Sequence, residues 1–159
     1  MKYDDASWHY GGDFPEGFPE ENGGIHIALY LKWAFMKGWA GDIHLSEARE
    51  ETERVISSKD SATKFFYKYC DGKLTDEDFN DEGESVTNRY YGKDGYYLND
   101  YNDYIGDRLY RISEDEHNLE KLFSIMDYRF ESGLLTKNEL RKRKKAVEKQ
   151  RNKPTWKFW

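Results

Sequence analysis

Cysteine is nearly absent from this chain. Cys70 is the only one in 159 residues, so no intrachain disulfide framework can hold the fold. Proline is scarce too: Pro15 and Pro19 punctuate the opening segment, and Pro154 stands near the end. Long apolar runs are lacking. The most apolar stretch, Asn22 to Trp39, is interrupted by His26, Lys32 and Lys37, which excludes a membrane span. The opening M-K-Y-D-D-A-S-W-H-Y-G-G-D-F-P has no apolar segment of the signal-peptide kind, so a cytoplasmic protein is expected. There is no G-x-S-x-G, no Walker-type loop and no G-x-G-x-x-G. The expectation from these absences is a protein that is not an enzyme and carries no cofactor.

Aromatics are what the chain has in quantity. Hydrophobic residues make up 37% and charged residues 35%, a poor supply for a core, but 17% are aromatic. Each such side chain can bury roughly 150–250 Å², so the 13 Tyr, 9 Phe and 5 Trp can build a globule that the aliphatics could not. Charge is unevenly placed within a net of −6. Asp71 to Asp107 holds 11 acidic against 3 basic residues, and Lys137 to Trp159 holds 10 basic against 2 acidic. Such segregation points to internal docking of the tail or to two partner surfaces.

The pattern predicts a mostly α fold, one helical domain over 1–159, built around a central helix. Residues 1–21 form an extended aromatic segment with a short β element at most; 22–136 form the helical core; 137–159 form a basic helix and an aromatic tail. In I-H-I-A-L-Y-L-K-W-A-F-M the apolar residues go most of the way round the wheel, as in a helix enclosed by its neighbours. Lys32 and Lys37 are expected to snorkel outward. Further helices are expected over Leu45–Ser58 with Ser46 as N-cap, from Asp60 or Ser61 to Tyr69, from Thr75, over Glu84–Tyr91, over Tyr96–Ile105, from a Ser113/Glu116 capping box to Phe130, and over Lys137–Asn152.

Two constellations compete for function. Tyr91, Tyr97 and Tyr101 alternate with Asp94, Asp100 and Asp103 in the acidic block, and together they read as a surface for a basic protein partner: aspartates steer, tyrosines anchor. The alternative is a metal or acid–base site from Asp4, Asp5, His9, Asp13 and His26, since carboxylates with imidazoles suit a divalent ion. This would make the chain a small metal-dependent enzyme or ligand-binding protein. The plainer reading of those residues is turn-capping aspartates and histidines bonded to backbone. An EF-hand fails in both registers of the Asp76–Asn80 pattern for want of Gly or Glu at the required places. Glu114 with His117 lacks the second copy a bundle metal site needs. Cys70, at a helix end beside an acid, reads as a small buried residue. The basic run Arg141 to Lys145 stands in an acidic protein without a nucleic-acid-binding fold, so it reads as a solvated face and argues against nucleic acid as partner.

The opening string, the H-I-A-L-Y-L-K-W helix, and Y-C-D-G-K-L-T-D-E-D-F-N-D-E-G followed by Y-L-N-D-Y resemble a family of short bacterial proteins of unknown function, over roughly residues 1–110. The resemblance carries over no site residues. Small acidic proteins of that kind are similar to the immunity proteins of polymorphic toxin systems. What this implies is a cognate toxin as partner, its basic active-site cleft covered by the acidic, Tyr-rich surface, with no membrane involved.

Overall fold

The computed structural model describes residues 1–10 and 14–154. Eight α-helices and one two-stranded antiparallel sheet make up the described fold. The mostly α architecture expected from the sequence is therefore observed. Strand β1 (Lys2–Asp5) pairs with β2 (Lys73–Thr75), Asp4 opposite Leu74 and Asp5 opposite Lys73, with an irregularity between Lys2 and Asp4. The first strand runs into a 3-10 turn, Ala6–His9, which Asp5 caps by accepting from the Ser7 amide.

At the centre lies α1 (Ile25–Met36), whose residues from Ile25 to Phe35 are all buried. A helix with no polar face must be enclosed, and α1 is. Helices α3 (Arg49–Ile56) and α4 (Ala62–Tyr69) cover one side. Side chains from α5 (Asp81–Tyr90), α6 (Tyr97–Ile105) and α7 (Glu116–Glu131) close the rest: Tyr30 Oη donates to Thr87, Tyr97 Oη to the His26 carbonyl, and Trp33 Nε1 to Asp127. Gly24 permits the approach of α4, because a Cβ there would stand 2.8 Å from the Tyr67 hydroxyl. Aromatic rings fill the interior, with Tyr30 edge to face against Tyr90, Tyr91 and Tyr97 and tilted against Trp33.

Several boundaries differ from expectation. The helix foreseen over Leu45–Ser58 is two, α2 (Asp42–Glu47) and α3, broken at Ala48, and Ser46 is not its cap. The start lies at Gly41, where backbone contact with Glu77 leaves no room for a Cβ. Helix α7 is capped by Asp115, which accepts from Asn118, rather than by Ser113. Lys37 turns out to pair with Asp127, as a snorkelling lysine can, but Lys32 is buried. The last helix, α8 (Lys137–Arg151), has no buried residue, and among the described residues none of Arg141 to Lys145 forms an ion pair. The acidic block does not take up the basic run. Among the described residues no helix is long and apolar enough to cross a membrane.

Candidate metal centre

The six residues read as a partner surface do not share a surface. Tyr97 and Tyr101 are fully enclosed, Tyr91 is buried, and Asp100 lies inside with them. Their hydroxyls find partners within the fold: Tyr97 at the His26 carbonyl, 2.6 Å, and Tyr101 at the Leu109 carbonyl, 3.3 Å. Asp100 accepts from Tyr90 and from the Arg129 guanidinium. Only Asp94 and Asp103 are exposed. The expectation of a tyrosine-studded exterior is corrected at these four positions, because a phenol can hide its ring and still satisfy its hydroxyl inside.

The Asp/His group is brought together in part. Asp4 ends the irregular part of β1, His9 closes the 3-10 turn that follows, and His26 stands in the first turn of α1. His9 Nε2 lies 2.9 Å from Asp4 Oδ1, and His26 Nε2 lies 3.4 Å from Asp4 Oδ2. The two imidazoles meet edge to face with centroids 4.5 Å apart. One ligand atom from each of the three residues falls within 4.8 Å of the others. Donors around a tetrahedral divalent ion stand roughly 3.3 Å apart, given bonds of about 2.0–2.2 Å, so small side-chain movements would close these three on an ion. Asp5 is not part of the group: its carboxylate is used by Lys2, at 2.8 Å, and by the Ser7 amide and hydroxyl. Asp13 lies outside the described residues.

Tyr91 joins the site from the other constellation, donating to Asp4 Oδ2 at 2.5 Å. Asp4 also accepts from the Asp5 amide. Burial works to raise the Asp4 carboxyl, but hydrogen bonds from His26, His9 and Tyr91 outweigh it and hold the group well below the usual carboxylate range. Burial lowers the pKa of His26, partly opposed by the Asp4 carboxylate beside it. That imidazole is poorly served by hydrogen bonds. Its Nε2 contact with Asp4 is long, and its buried Nδ1 has no partner among the described residues. A cleft of about 600 Å³ opens on Asp4 and His9, lined also by Tyr91, Trp8, Lys93 and Lys137, while His26 lies behind its wall.

A second cluster went unnoticed in the sequence. His44 Nε2 lies 2.8 Å from Asp78 Oδ1, with Cys70 Sγ at 3.9 Å from the same nitrogen. The other Asp78 oxygen accepts from the Thr75 amide in a capping box. The spacing of 26 and 8 residues between these three carries no motif, and only the packing of α2, the end of α4 and the turn after β2 unites them.

A family model described as a domain of unknown function (DUF7832) matches residues 2–114. It spans Asp4, His9, His26 and Tyr91 and stops before α7. No curated protein and no solved structure matches the chain.

Proposed function

We propose that this chain, which belongs to the DUF7832 family of domains of unknown function, is a divalent-metal-binding protein with Asp4, His9 and His26 as ligands. The observation that carries the reading is His26, a buried imidazole whose Nδ1 has no hydrogen-bond partner among the described residues. Its Nε2 lies beside the Asp4 carboxylate, and the His9 ring packs against it. A core histidine without function is normally satisfied, and leaving one polar atom unpaired costs about 1–3 kcal/mol. Two imidazoles and a carboxylate suit zinc, iron, nickel or copper rather than calcium or magnesium. Tyr91, donating to Asp4 Oδ2, fixes the orientation of that carboxylate.

Three protein ligands leave a position open, and the cleft supports a use for it. Lys93 and Lys137 line its wall, so an anionic oxygen donor is the class of small molecule that fits. The bound ion would polarise such a donor or acidify a water. Titration of chelator-stripped protein with cobalt(II) tests the reading. Visible absorption bands saturating at one equivalent are expected for the wild type, and no bands for His9→Ala or His26→Ala. Equal spectra in all three proteins would overturn it.

A second reading, a toxin-neutralising immunity protein, is supported by the cleft rim rather than by the tyrosines. Trp8 is 59% exposed and Leu98 40%, two large apolar side chains on one edge, with Asp94 and Asp103 also at the surface. Protection against a toxin domain encoded beside this chain, lost in a Trp8→Ala, Leu98→Ala double variant, is the expected result on that reading. Protection unchanged by the double variant would remove this rim from it.

A further inference from the structure

A separate cavity of about 810 Å³ lies between α1, the α3–α4 turn, α4 and the segment before α7. Its inner wall carries Lys32, only 2% exposed. The Lys32 ammonium donates to the Ser58 hydroxyl at 2.8 Å and makes no ion pair among the described residues. Ser58 stands at φ +60° as the left-handed residue that closes α3, its amide on the Val55 carbonyl and the Lys59 amide on the Arg54 carbonyl. A buried ammonium whose one hydrogen-bond partner among the described residues is a neutral hydroxyl lacks a close counter-ion.

The carboxylates lining the cavity are mostly engaged by other groups. Glu114 accepts from the Ser61 hydroxyl, from the Ala62 and Thr63 amides and from the Thr63 hydroxyl. Asp60 is held by Arg54 through two contacts of 2.8 Å. Lys64 and Lys68, at the mouth, form no ion pair among the described residues. Lys32, Lys59, Lys64 and Lys68 outnumber the lining carboxylates Glu21, Asp60 and Glu114, so the net charge facing the space is positive. Ile25, Ile112 and the ring of Tyr67 supply an apolar wall opposite.

We infer that this cavity binds a small organic anion, an apolar or aromatic body bearing a phosphate or carboxylate, with Lys32 as the counter-charge at its closed end. The volume falls in the range of ordinary small-molecule sites, about 300–1,000 Å³. An anion at Lys32 offsets the cost of keeping an ammonium out of water. Burial also lowers the pKa of Lys32, partly opposed by the charge of Glu114, which is the state of an amine awaiting a partner.

Calorimetry on the full chain with phenyl phosphate, benzoate and inorganic phosphate tests this. One equivalent of phenyl phosphate or benzoate is expected to bind at least tenfold more tightly than inorganic phosphate, and the stronger of the two identifies the head group. Lys32→Met should weaken that binding tenfold or more while preserving the circular dichroism of the fold. Lys32→Gln serves as the second variant should the methionine form not fold. Failure of both organic anions to bind, or equal binding by wild type and variant, would overturn the assignment.

Discussion

Arg129 grips Asp100 side-on: Nε lies 2.8 Å from Oδ2 and Nη2 lies 2.8 Å from Oδ1, with the Tyr90 hydroxyl completing the shell at 2.8 Å. The pair joins α6 to α7 and sits almost wholly inside, the Asp100 side chain at 3% exposure. Replacing Asp100 by Ala leaves a guanidinium and a phenol without their acceptor, which is expected to cost about 3–5 kcal/mol of unfolding free energy. In urea denaturation the double variant Asp100→Leu, Arg129→Met should recover most of that loss. Additive losses would contradict the pairing.

Tyr97 tests the same inward placement by a different bond. Its hydroxyl donates to the carbonyl of His26, joining α6 to the first turn of α1. Tyr97→Phe should cost about 1–2 kcal/mol, and Tyr97→Ala about 3–5 kcal/mol from the cavity left behind. Thermal melts of the two variants check this. A residue on an exposed face would change the melting temperature little in either form.

Lys32 makes a prediction about pH. Burial places its folded pKa below the ordinary value of 10.5, so the unfolded chain holds the proton more tightly than the folded one. The charged ammonium therefore disfavours folding at neutral pH, and that penalty fades as pH rises from the lowered folded pKa to 10.5. Lys32→Met should be more stable than wild type at pH 7, by about 1 kcal/mol. The advantage should narrow steadily toward pH 10.5. Melts across that range check it; an advantage that widens with pH would contradict the burial account.

Cys70 should be inert in the native protein. Burial, then the charge of Asp78, pushes its thiol well above the ordinary cysteine range. Labelling by a disulfide reagent at pH 8 should be about tenfold or more slower in buffer than in denaturant. Equal rates would mean that the thiol is not packed against His44 and Asp78.

The sequence made the central helix readable because no arrangement of Ile25 to Phe35 could leave an apolar face outside. The helix spacing of Tyr97, Tyr101 and Tyr104 competes with the strand preference of tyrosine, and neither signal gives the direction of the face. Tyrosine fits a surface or a core, and what decides is whether a distant acceptor meets the hydroxyl, here His26 or Leu109. Asp100 was read as a steering charge for the same reason, since Arg129 lies 29 residues away along the chain. Asp4 and Asp5 could not be told apart from neighbouring letters; only the pairing of Lys2 and Ser7 with Asp5 separates them. In sequence Lys32 reads as a snorkelling lysine, because nothing local announces a cavity lined by Ser58 and Glu114 from two other segments.

The metal-site account is tested most directly by elemental analysis of the untagged chain purified from cells grown with added zinc, manganese, iron, nickel and copper. It predicts close to one equivalent of a divalent transition metal per chain, falling to background in the His9→Ala, His26→Ala double variant that remains folded. Metal at background in the wild type, or the same content in both proteins, would contradict it.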